Sequence, residues 1–175
     1  MRKAIRNIAC CLFFVLLALA GQAQNSDIKF QNISILDGLS QSYVNDVMQD
    51  RQGFMWLATQ DGLNQYDGYS FSVYKNDPSD PYSIANNYVH AIYEDNDSSI
   101  WIGTDVGLSR FDKATRRFEN YYAQPNNPEG LSNEIVWDIV EDAQGYLWIA
   151  TEHGGLNRFD RTARTFKQYK RGNGP

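Results

Sequence analysis

The chain has 175 residues, with sixteen Lys or Arg, twenty-one Asp or Glu, two Cys and 14% aromatics. Cys10 and Cys11 both lie in the first, apolar stretch, so the remainder excludes disulfides and cysteine metal sites. Once Arg2, Lys3 and Arg6 are set aside, thirteen cations stand against twenty-one acids, a net −8 that argues against nucleic acid and anionic membrane surfaces as partners.

Arg2, Lys3 and Arg6 precede an apolar run from Ile8 to Ala20 and then Gly21-Gln22-Ala23, which together read as a secretory signal over residues 1–23. The run is shorter than the roughly 20 residues a spanning helix needs. The mature chain is expected to begin near Gln24, in the periplasm or on the outer surface, and to be held by packing alone.

Phe30-Gln31-Asn32-Ile33 spaces two large apolar residues as Phe71 to Tyr74, Phe118 to Tyr121 and Phe166 to Tyr169 do. A lone outer strand is therefore expected within residues 24–38. Beyond it, one pattern occurs three times, with Trp56, Trp101 and Trp148 separated by 45 and 47 residues, a period typical of solenoids and propellers. The predicted strands of the first copy are Val44 to Met48, Phe54 to Thr59, Leu63 to Tyr66 and Tyr69 to Tyr74. Asp50-Arg51-Gln52-Gly53, Gln60-Asp61-Gly62 and the two-residue turn Asp67-Gly68 join them. The second copy gives Val89 to Tyr93, Ile100 to Thr104, Leu108 to Phe111 and Phe118 to Tyr121. The third gives Val136 to Val140, Leu147 to Thr151, Leu156 to Phe159 and Phe166 to Tyr169.

Four antiparallel strands in about 45 residues are the size of a β-propeller blade. The fold class is all-β, with three blades at 39–82, 83–130 and 131–175, the last including the start of a further linker. Trp56, Trp101 and Trp148 are the expected wedges between blades. Asp50, Asp95 and Asp142 share one turn position, and Asp67, Asp112 and Asp160 share another. Three like copies of an acid are expected to bond turn backbone rather than form an active site. Three blades fall short of the roughly 4–8 that close a ring, so the expected partners include further blades of the same propeller. The alternative is a three-blade unit that closes with a second copy as a homodimer.

The shared residues, Leu131-Ser132, Val136, Asp142, Gly145, Trp148-Ile149-Ala150-Thr151, Gly155-Leu156 and Phe159-Asp160, resemble the two-component regulator propeller repeat. The likeness covers about Ile28 to Tyr169, with departures at Asp97-Ser98-Ser99, where glycine is expected, at Tyr66 for Phe, and at an extra glycine in Gly154-Gly155. The resemblance implies the periplasmic sensor half of a hybrid two-component system, in which two propellers and an immunoglobulin-like domain precede a membrane helix and a histidine kinase. It further implies an oligosaccharide stimulus and control of polysaccharide-use genes.

The links between blades and the second-to-third-strand turns belong on one rim, where the copies differ most. On the first strand, the aligned positions Asn45, His90 and Trp137 differ while their neighbours Val44, Val89 and Val136 do not. Variation on a constant scaffold is where recognition can be carried. Asn45, Tyr88, His90, Asp105, Trp137 and His153 are accordingly the candidate ligand contacts, with simple packing or solvation as the competing reading. No catalytic residue, metal ligand or cofactor is called for. A sugar-cleaving enzyme would need paired carboxylates, whereas the acids here sit mainly at repeat turns. A protein-binding scaffold shares the same fold and is the other reading.

Overall fold

The computed structural model describes residues 30–124 and 126–170. The expected signal segment 1–23 lies outside them, as do residues 24–29 of the expected lone strand. From Phe30 to Ser34 no strand forms. Ser34 instead caps a single 3-10 turn, Ile35–Asp37, accepting at Oγ from Leu36 N while Asp37 accepts from Ser34 N at 2.8 Å. A strand needs an edge to pair with, and none of the sheets below recruits these residues.

Twelve strands follow: β1 (Val44–Gln49), β2 (Met55–Thr59), β3 (Gly62–Tyr66), β4 (Phe71–Tyr74), β5 (Val89–Glu94), β6 (Ile100–Thr104), β7 (Gly107–Asp112), β8 (Arg117–Tyr121), β9 (Val136–Glu141), β10 (Leu147–Thr151), β11 (Gly155–Asp160) and β12 (Thr165–Tyr169). They form three separate antiparallel meanders, β1 to β4, β5 to β8 and β9 to β12, and no sheet closes on itself. The all-β, three-blade expectation holds. β2 starts one residue later than expected and β4 two, the latter because Asp67 N donates to Ser70 O and the Asp67 carboxylate takes the amides of Tyr69 and Ser70. Gly68 and Tyr69, not Asp67 and Gly68, thus form the turn, and β4 begins at Phe71.

Two hydrophobic cores lie between sheets rather than within them. Trp56, Ala58 and Leu63 of the first blade pack on Ile92, Ile100, Ile102, Phe111 and Phe118 of the second. Trp101 and Leu108 of the second pack in the same way on Val136, Ile139, Ile149, Phe159 and Phe166 of the third. Trp56 is 0% and Trp101 1% exposed, with Phe111 and Phe159 edge-on to them at 5.4 and 5.5 Å. Gly103 permits this approach, because a Cβ there would stand 2.8 Å from the Val136 carbonyl oxygen.

The turn opening each blade is built identically. Asp50 Oδ1 accepts from Gln52 N and Phe54 N, and Oδ2 accepts from the Trp56 indole at 2.9 Å. Asp95 does the same for Asp97 N, Ser99 N and Trp101, and Asp142 for Gln144 N, Tyr146 N and Trp148, both indole bonds being 2.7 Å. The aspartate therefore sets the turn and fixes the tryptophan ring together. Where the second copy lacks glycine, Ser98 adopts φ +65 in the place of Gly53 and Gly145.

Each of the two seams is also tied by charge. Lys113 Nζ, after the third strand of the second blade, lies 2.9 Å from Asp50 Oδ2 of the first and 2.8 Å from Glu94 Oε1 of its own blade. The other Glu94 oxygen accepts from Arg51 N. One repeat later Arg161 spans Asp95 (2.8 Å) and Glu141 (2.7 Å), and Glu141 accepts from Asn96 N. Asp50, Glu94, Asp95 and Glu141 have almost no side-chain exposure, so each cation is shared between two carboxylates withdrawn from water.

Candidate functional site

The first strands β1, β5 and β9 stand side by side, β5 against both others. Each carries a β-bulge at one place. Val44 pairs with Thr59 and Asp46 with Ala58, leaving Asn45 over. His90 is left over between Val89 and Ala91, and Trp137 between Val136 and Asp138. A bulged residue is released from the ladder and its side chain is re-aimed. The three positions that vary between copies are therefore the three bulges.

His90 Nε2 lies 2.7 Å from Asp105 Oδ1. Asp105 reaches it because the turn after β6 folds onto the incoming linker, with Asp105 N donating to Tyr88 O. The His90 ring lies 4.2 Å from that of Trp137 on the next blade and 4.8 Å from that of Tyr88. Tyr88 Oη accepts from Gln60 Nε2 of the first blade. Three blades thus contribute to one cluster. At this same rim Gly62 N donates to Asn87 O and Gly107 N to Glu134 O, each turn gripping the lead-in of the following blade.

Of the candidate residues, Tyr88, His90, Asp105 and Trp137 come together. Asn45 stands beside them, its amide donating to Val89 O at 2.6 Å. His153 is apart, with its side chain 89% exposed and φ +57, 3.8 Å from Glu152. The extra residue in its turn explains this, since Thr151 pairs with Gly155 across three residues where Thr104 pairs with Gly107 across two. Gln60 was not among the candidates. Its sole signal was its place in the first copy's rim turn.

The cluster is half open. His90 is enclosed, while Trp137 is 51% exposed and the Asp105 side chain 41%. Such a site offers an aromatic platform flanked by a carboxylate, a phenol and an amide, groups able to stack on an apolar ring face and bond to hydroxyls. Among the described residues, no group of three or more His, Cys, Asp or Glu is placed to hold a metal. A cleft of about 440 Å³ is at the opposite end of the strands, between the second and third blades, and is lined by Asp97, Arg110, Tyr121, Tyr146 and Arg164. A counterpart lined by Gln52, Gln65, Tyr74 and Arg116 lies between the first and second. Its recurrence marks it as a product of blade packing.

The model of the two component regulator propeller matches residues 38–61, 83–106 and 130–153, the lead-in, first two strands and rim turn of every blade. A curated relative, "Histidine kinase P4" of Formosa agariphila, is 45% identical over 83 residues, which are 46% of this chain and 6% of that protein. Among solved structures, the extracellular domain assigned to a hybrid two component system of B. thetaiotaomicron is 34% identical with a TM-score of 0.77, over 82% of this chain and 20% of that one. PorZ, a surface component of the type-IX secretion system of Porphyromonas gingivalis, shares the fold at 17% identity and a TM-score of 0.66, over 84% of this chain and 24% of that one. The chain spans a fifth or less of the first-named relatives in each comparison. The chain thus carries three two-component regulator propeller repeats, one on each four-stranded blade.

Proposed function

We propose that this chain is part of an extracytoplasmic sensor propeller in a two-component signalling protein with a histidine kinase. We read its ligand as an oligosaccharide received at the rim formed by Tyr88, His90, Asp105 and Trp137. One observation carries the reading: a bulge at the same place in every blade turns a different side chain, Asn45, His90 or Trp137, to one rim of the fold. The names of the Formosa and B. thetaiotaomicron relatives support the sensor role, and the proportion of platform to polar groups suits a saccharide. Binding without turnover fits the chemistry, since Asp105 is held by His90 rather than facing a second carboxylate. The test is calorimetric titration of oligosaccharides against the complete ectodomain and its Trp137→Ala variant. A saccharide that binds the parent at least about tenfold more tightly than the variant is expected, as for loss of a stacked aromatic. Equal affinity in both would remove the rim from consideration. If no saccharide binds a folded ectodomain, the rim is left as a protein-docking scaffold.

A further inference from the structure

The trailing face of the third blade lacks the cover that the first two receive. Leu63 and Leu108 are each 0% exposed, whereas their counterpart Leu156 is 38% exposed, and Trp148 is only partly buried. Tyr74 packs on Phe111 and Phe118, and Tyr121 on Phe159 and Phe166. Tyr169, at the same place, keeps the contact with its own blade's tryptophan that Tyr74 and Tyr121 also make, but among the described residues it meets no such phenylalanine pair. Charge shows the same gap. Asp50 and Asp95 each meet a cation from the following blade, while no cation lies within ion-pair reach of Asp142 among the described residues.

The two occupied seams define what fits. The incoming blade supplies a glutamate just before the aspartate of its own first turn (Glu94, Glu141), which takes a backbone amide of the preceding blade's turn. It supplies a cation just after the aspartate between its third and fourth strands (Lys113, Arg161) and two phenylalanines against the preceding tyrosine. The first blade has none of the charged pair. Gln49 stands where the glutamate would, donating to Gly53 O of its own turn, and Gly68 stands where the cation would.

From this asymmetry we infer that the Asp142–Trp148 face is a directional docking surface for a propeller blade carrying that glutamate and lysine or arginine pair, and that it rejects the first blade of a second copy. The inference is independent of the ligand reading above. It stands on continuity with two seams in the same molecule and on the charge that completes each of them. Ring closure by homodimerisation through the first blade would bury Asp142 without a counter-charge, a costly arrangement.

The test extends the chain after Tyr169 with a copy of its own residues 75–121, which bring Glu94 and Lys113 in the phase they follow Tyr74. Indole N–H exchange of Trp148 is followed by NMR. In the 175-residue chain Trp148 should exchange at least about tenfold faster than Trp56 and Trp101, and the extension should slow it at least about tenfold. An extension carrying Glu94→Gln and Lys113→Met in the copy should lose most of that protection. Full protection by the uncharged copy would overturn the charge rule, and unchanged exchange in both would overturn the surface. A 175-residue chain that sediments as a dimer with Trp148 protected would make a second copy the occupant and overturn the inference as well.

Discussion

The two ends of each blade are built on opposite rules. At one end Asp50, Asp95 and Asp142 hold the same turn, the same indole and, at two seams, a cation of the next blade, lysine at one and arginine at the other, with distances that agree to a few tenths of an ångström. At the other, three bulges in one place carry Asn45, His90 and Trp137, and their contacts have nothing in common: a backbone carbonyl, a carboxylate, a neighbouring ring. Identity of side chain and geometry accompanies burial between blades. Identity of geometry alone, with side chains free to differ, accompanies the open rim. Two tryptophans separate the cases cleanly, since Trp101 closes a seam and Trp137 stands half in water.

Substitution of those tryptophans is the strongest way to break the contrast. Trp101→Ala should cost about 3–5 kcal/mol by chemical denaturation, the range for truncating a buried aromatic. A near-neutral result would dissolve the seam model. Arg161→Met should cost about 3 kcal/mol, the low end for breaking a buried pair because the guanidinium is itself 22% exposed. Burial alone would lower the Arg161 pKa, but Asp95, Glu141 and Asp97 hold it above the usual arginine value, so it stays charged and its loss strands two carboxylates.

Acid should act on the constant end. Burial alone would raise the Asp50 and Asp142 carboxyls, yet bonds from Trp56, Lys113 and Phe54 N to the first, and from Trp148, Tyr146 N and Gln144 N to the second, hold both below the usual aspartate value. A depressed folded value means stability that is complete above about pH 4 and lost as pH falls through the lower folded values. Thermal melts should therefore be flat from neutrality to about pH 5 and drop below pH 4, and the drop should shrink in Asp142→Asn. The smallest expected effect is at the rim: Trp137→Ala should shift stability by no more than about 0.5 kcal/mol. A cost near that of Trp101→Ala would mean that the rim is structural after all.

Much of this frame was legible in the residues because it repeats. Phe-x-x-aromatic spacing, Gly at the fourth turn position and the 45-residue period located eleven of twelve strands closely, and the exception, β4, moved because the Asp67 side chain competed for the turn amides. The turn aspartates were recognised as structural, but their second role, holding an indole six residues on, needs the hairpin to fold back and has no local signal. The bulges were equally hidden, since an unpaired residue looks like any other in a strand. Their positions were found by the variation they permit. His153 stands apart from the cluster because one inserted residue in its turn turns it outward, and spacing within a single copy does not reveal direction. The charged seams pair residues more than 60 apart, Lys113 with Asp50 and Arg161 with Asp95, which no window along the chain brings together.

Placing the cores between sheets also dictates how the molecule loosens. No blade owns a complete interior, so none is a folding unit by itself, and cooperativity passes along the chain from neighbour to neighbour as in a linear array. Among the described residues the middle blade, β5 to β8, shares both cores and each of its neighbours shares one. A molecule bound across Gln60, Tyr88 and Trp137 would therefore act as a brace on three neighbours at once.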